Sequence, residues 1–119
     1  MHSAQLLDHF QHPRNAGVMD SPDVSVQADN PACGDVMRLM LRVKDGTITE
    51  TKYQVRGCVA AIACGSALAE TLSGKSISNA RELRRELLVD MLGGLPNESL
   101  HASYLAIDCL KLALKQLMK

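Results

Sequence analysis

The order of hydrophobic patterns along this 119-residue chain predicts an α+β fold, a three-stranded antiparallel sheet with helices packed on one face. Three observations carry that expectation. Between residues 24 and 55, apolar and polar side chains alternate in several runs, the period of a half-buried strand. Asp45-Gly46 separates two of those runs and marks a tight hairpin. From residue 59 onward the apolar spacing becomes helical and stays so.

The elements follow in order. Ser3 to Gln11 carries Leu6, Leu7 and Phe10 at helical spacing, and His12-Pro13-Arg14-Asn15-Ala16-Gly17 ends that helix. Ser21 to Asn30 opens with a Ser-Pro turn and contains Val24 and Val26, a first strand. Met37, Leu39, Leu41 and Val43 then alternate with Arg38 and Arg42, with Met40 out of pattern. A third strand runs from Ile48 to Val55. Val59 to Ser73 reads as a helix whose many small residues let it lie close to a sheet, stopping at Gly74. Another helix is expected from about Asn79 to Leu92, with Ser78 as N-cap and Gly93-Gly94 as terminator. The run Arg81 to Glu86 reads as its solvated face. A last helix spans about Leu100 to Met118, with Leu105, Cys109 and Leu112 on one apolar stripe.

Length predicts one domain over residues 1–119. With one Phe, two Tyr and no Trp, the core must be aliphatic. Net charge is zero and the sequence pI is near 6.9, which gives no field for nucleic acid or a membrane surface. No apolar run approaches the roughly 20 residues of a membrane span. The first residues lack a basic region followed by an apolar run, so a cytoplasmic location is expected. The four cysteines there are expected as thiols rather than disulfides.

Three short segments hold groups that bind soft metals. In Pro31-Ala32-Cys33-Gly34-Asp35, glycine between a thiol and a carboxylate lets both face one point. Cys58 follows Gly57 at a strand-to-helix junction, where backbone N–H groups and the helix dipole are expected to lower its pKa. His101 opens the last helix and offers a neutral ring nitrogen. Two sulfurs, one oxygen and one nitrogen suit zinc or an iron–sulfur cluster better than calcium or magnesium. Cys64 and Cys109 lie inside apolar helices and read as small buried hydrophobes. His2, His9 and His12 read as surface or packing residues.

Taken in sequence, Asp8-His9-Phe10-Gln11-His12-Pro13-Arg14-Asn15-Ala16-Gly17, Asn30-Pro31-Ala32-Cys33-Gly34-Asp35, Gly57-Cys58 with its small-residue helix, and His101 resemble the IscU/NifU N-terminal scaffold family. The resemblance covers essentially the whole chain and implies an IscU/SufE-like fold. It implies a protein that is not an enzyme, one that takes sulfur from a cysteine desulfurase, builds a [2Fe–2S] cluster and passes it to acceptor apo-proteins. Zn2+ often takes the same ligands. By the resemblance those ligands are Cys33, Asp35, Cys58 and His101. The family's third cysteine follows the histidine, where this chain has Ala102. Cys109 lies seven residues on, roughly 10 Å along a helix, and does not replace it. The family's Leu-Pro-Pro-Val-Lys motif is matched only by Leu95-Pro96, so the resemblance does not extend to a dedicated Hsp70-type chaperone. Two other readings stay open: a zinc-containing sulfur acceptor for a desulfurase, and a metal-free homologue that regulates partners.

Overall fold

The computed structural model of the chain describes residues 2–31 and 34–118. Its elements are α1 (Ala4–Gln11), β1 (Val24–Asn30), β2 (Asp35–Lys44), β3 (Thr47–Arg56), α2 (Val59–Leu72), α3 (Ile77–Ala80), α4 (Arg85–Met91), a 3₁₀ turn (Asn97–Ser99) and α5 (Leu100–Leu117). The strands form one antiparallel sheet in the order β1-β2-β3, with helices packed against it. This is the predicted fold class. The β2–β3 hairpin turns through Asp45 and Gly46, both at positive φ (52° and 76°), as the twist of a two-residue hairpin demands.

Alternation places Met37, Leu39 and Leu41 of β2 on the inner face, all without solvent exposure. Leu39 stands opposite Tyr53, and Ala28 opposite Met37, so one apolar surface runs across the three strands. Helix α5 covers β1 and β2, α2 covers β3, and the two helices touch. The small residues of α2 permit this: a Cβ added to Gly65 would stand 2.6 Å from the Tyr53 ring. At that distance only hydrogen fits.

Met40 departs from the alternation for a tertiary reason. Its strand position turns it to the outer face, yet it is 2% exposed and lies outside the main core cluster, as does buried Met19. The chain after α1 accounts for this. Gly17 N–H donates to the Tyr53 carbonyl at the outer edge of β3, whereas Arg42 donates to the carbonyls of Asp20 and Ser21. The connection therefore passes from β3 across the second face of the sheet to the start of β1. Met40 is buried beneath it.

The helix expected over Asn79 to Leu92 is two short helices, α3 capped by Ser76 rather than Ser78, and α4. Arg84 is extended (φ −113°, ψ 150°) and breaks them apart. The break shifts the helical register, so Leu88 and Leu92 are fully buried while Leu87 is 43% exposed. An unbroken helix would turn Leu87 inward with Leu83. The run Arg81 to Glu86 is consequently not one solvated face: Arg85 is half-buried, donates to Ser103 Oγ at 3.2 Å and lies 4.4 Å over the Tyr104 ring. On α5, Leu105 and Cys109 are buried as expected, but Leu112 is 42% exposed.

Candidate metal centre

Three elements converge at one end of the sheet. Asp35 is the first residue of β2, opposite Asn30 of β1, and is only 5% exposed. Cys58 is the N-cap of α2, and its Sγ accepts the Ala61 N–H at 3.4 Å. His101 lies in the first turn of α5. The Cys58 thiol donates to Asp35 Oδ2 at 3.3 Å. His101 Nε2 stands 3.4 Å from the same oxygen and 3.9 Å from Cys58 Sγ.

These separations have a simple meaning. With zinc bonds of about 2.0–2.3 Å, two donors on one tetrahedral ion stand about 3.3–3.8 Å apart. The three side chains already hold nearly that spacing, so an ion would need little rearrangement of them. The donor set of thiolate, carboxylate and imidazole fits zinc or iron. Among the described residues this is the one group of three or more such side chains positioned for a metal. Cys33, the fourth expected ligand, lies outside the described residues.

Gly57 makes the convergence possible. A Cβ there would stand 2.5 Å from Asp35 Oδ1 and 2.6 Å from its Cγ. The sequence contained the signal, a glycine directly before Cys58, but nothing in it said that the space was needed by Asp35. Gly34 takes φ 78°, the unusual conformation expected beside Asp35.

The expected lowering of the Cys58 pKa is corrected. Burial pushes the thiol up, and the adjacent Asp35 carboxylate adds to that, outweighing the Ala61 and Ala60 N–H groups that favour the thiolate. The dipole argument ignored the desolvation of the thiol and the buried carboxylate that folding delivers beside it. Cys64 and Cys109 are fully buried, and burial pushes both thiols up to about 12.

The Asp8–Gly17 segment has a packing role. His9 is 6% exposed, with Nδ1 2.8 Å from Ser66 Oγ. The same hydroxyl accepts the Arg14 N–H at 2.8 Å. Ser66 thus joins the His9 ring to the Arg14 backbone through one hydroxyl. Burial holds the His9 pKa below its usual 6.5, assisted by the Arg14 charge. Arg14 also bridges Asp8 (2.6 Å) and Glu70 (3.2 Å), tying α1 to α2.

Residues 1–119 match the family model described as NifU-like N terminal domain. The chain belongs to that family. It is 42% identical over 114 residues to the iron-sulfur cluster assembly scaffold protein IscU 1 of Archaeoglobus fulgidus, covering 96% of this chain and 74% of that one. It is 38% identical over 117 residues to the IscU scaffold protein of Haemophilus influenzae, covering 95% and 92%. The crystal structure of a nitrogen-fixing NifU-like protein (N-terminal) from Brucella abortus superposes with a TM-score of 0.77 at 18% identity, over 98% of this chain and 93% of that chain. Family membership and fold therefore agree. Among the described residues no helix is long and apolar enough to cross a membrane.

Proposed function

We propose that residues 1–119 act as a single cytoplasmic scaffold domain for iron–sulfur cluster assembly, without enzymatic turnover of its own. In this reading the cluster is cargo. Sulfur comes from a cysteine desulfurase, and the product passes to acceptor apo-proteins. The observation that carries it is the Asp35–Cys58–His101 trio, with donor atoms 3.3–3.9 Å apart in a chain whose relatives are named as scaffolds. Cys33 would supply the remaining thiolate.

Each side chain has a distinct task. Cys58 is the thiolate acceptor and gives up its proton when metal binds. Asp35 is a harder, more exchangeable ligand and aids release. His101 offers an imidazole nitrogen, Nε2, as the third donor. Ala102 leaves the set with two thiolates instead of three, and less negative charge should raise the potential of a bound [2Fe–2S] cluster.

One observation favours a second reading. The three donors converge on a single point, as for one ion, whereas a binuclear cluster divides its ligands between two irons. Zn2+ held there with Cys58 as a sulfur acceptor is the alternative. Anaerobic reconstitution with ferrous iron and Zn2+ in equal amounts, a desulfurase, cysteine and a thiol reductant, followed by metal and acid-labile sulfide analysis, distinguishes them. Iron with sulfide supports the scaffold, and zinc without sulfide supports the relay. Neither would overturn both in favour of a metal-free, partner-binding regulator.

A further inference from the structure

Among the described residues, the outer face of the sheet is covered over one half only. The connection after α1 crosses that half and buries Met40. Acidic side chains there are engaged: Asp23 Oδ2 accepts the Val43 N–H, and Glu50 pairs with Arg42. The other half carries two rows of side chains, Gln27, Arg38 and Gln54 in one and Asp29, Val36 and Arg56 in the next. Val36 is half-buried and the other five are exposed. Val36 directly follows Asp35, and Arg56 directly precedes Gly57 and Cys58, so this half lies at the metal-centre end of the strands.

A hollow of ≈ 510 Å³ opens over these rows, lined by Gln27, Val36, Arg38, Gln54, Val55 and Arg56. Its charge is one-sided. Arg38 and Arg56 are the charged residues of the lining, and neither has an ion-pair partner among the described residues. They are diagonal neighbours on adjacent strands, with Cα atoms about 7–8 Å apart. Arg38 Nη2 donates to Gln27 Oε1 at 3.4 Å, a neutral partner that leaves its charge in place. Asp29 bounds the patch on the β1 side without cancelling it. It stands two strand spacings, about 9.6 Å, from Arg56 and makes no ion pair with Arg38. Arg42 and its acidic neighbours begin four residues along β2 from Arg38, about 13 Å away, beyond the roughly 8 Å over which physiological salt screens a charge.

We infer that this half-face docks a helix of a partner protein that presents two carboxylates one turn apart, one to each guanidinium, beside an aliphatic side chain over Val36. Glutamates at i and i+4 have Cβ atoms about 5–6 Å apart, a span that matches the diagonal of the two arginines. A helix is the element that covers an open sheet face, as α2 and α5 do on the inner one. The arginines choose an acidic partner, and contact over the rest of the face adds the affinity. A free anion is a poorer occupant, because every polar side chain of the lining is exposed and exposed ion pairs are worth little in water. A nucleic acid fits worse, since Asp29 would meet its next phosphate and the chain carries no net charge. A partner seated there bears on the residues beside two of the metal donors. The inference does not depend on which metal that centre holds.

The test titrates a blocked alanine- and glutamine-rich helical peptide of about 16 residues, with Glu, Leu and Glu at i, i+3 and i+4, into the full chain. NMR follows the side-chain Nε–H resonances of Arg38 and Arg56 and the backbone amide of Val36. Saturable shifts at these groups are expected. Binding should weaken at least tenfold in Arg38→Gln/Arg56→Gln, and by as much when the second glutamate is moved to i+2, on the other side of the peptide helix. Lys111→Gln/Lys115→Gln, which removes two cations elsewhere on the surface, should bind as wild type does. All four substitutions are at exposed positions and should leave the circular dichroism unchanged. Absent shifts, or binding unaffected by the arginine substitutions or by the i+2 peptide, overturn the proposal. So does an equal loss in the lysine variant, which would mark non-specific attraction. Equal binding of glutarate or inorganic phosphate would overturn it in favour of a free-anion site, and tighter binding of a single-stranded oligonucleotide in favour of nucleic acid.

Discussion

Replacing Gly57 by alanine would drive a methyl group into Asp35. The new Cβ would stand 2.5 Å from Oδ1, 2.6 Å from Cγ and 3.0 Å from the Asp35 Cβ. Non-bonded carbon contacts relax at roughly 3.5 Å or more, so the carboxylate must retreat by close to an ångström. Asp35 is buried at the start of a paired strand and cannot rotate freely into solvent. The movement instead breaks its 3.3 Å and 3.4 Å approaches to Cys58 and His101. Overpacking of this kind costs about 1–3 kcal/mol of stability. Displacing a ligand or its orienting partner costs about 10–100-fold in metal affinity. Competition of Zn2+ between protein and a chromophoric chelator measures the second effect, and urea unfolding of metal-free protein the first. Asp35→Ala provides the control, because it removes Oδ1 and Cγ and leaves only the 3.0 Å contact. Gly57→Ala should then add little to Asp35→Ala, a non-additivity that marks direct contact. Wild-type affinity in Gly57→Ala, or an undiminished effect in the Asp35→Ala background, would refute the reasoning.

Further outcomes follow from the same contacts. Asp35→Ala should slow loss of a preformed cluster to a chelator; faster loss would make Asp35 an ordinary stabilising ligand. Ala102→Cys adds a thiol beside His101 at a fully buried position, and metal retention should rise by about an order of magnitude if that position faces the site. No gain would argue for a pocket reshaped around alanine. Ser66→Ala removes the partner of both His9 and the Arg14 N–H and should cost about 1–3 kcal/mol. Because the folded His9 pKa lies below 6.5, the unfolded chain takes the proton first. The His9 contribution is therefore complete above about pH 6.5 and is lost as pH falls through the depressed folded value, a loss that urea midpoints should show for wild type and not for His9→Gln. Iodoacetamide on the native metal-free protein should label Cys58 and spare Cys64 and Cys109, as peptide mass analysis would show. Bound Zn2+ should protect Cys58.

Local chemistry settled much of this protein before any folding. Period-two runs around Asp45-Gly46 specify the β2–β3 hairpin, because turn conformation and face alternation are properties of neighbouring residues. The small residues of Val59 to Ser73 announce a helix pressed against a sheet for the same reason. Asp35, Cys58 and His101 could be singled out as chemistry-bearing residues at element junctions. Their convergence could not be read that way, since 66 residues separate the first from the last and only the packing of α2 and α5 on the sheet closes the gap. Long-range packing likewise decided the rest. Met40 is buried because a distant connection crosses the outer face of the sheet. The 79–92 helix is broken at extended Arg84, and the register after the break sets Leu88 and Leu92, rather than Leu87, against the core. The Cys58 thiol is pushed up first by its own burial and then by a carboxylate 23 residues away, and burial is a property of the whole fold.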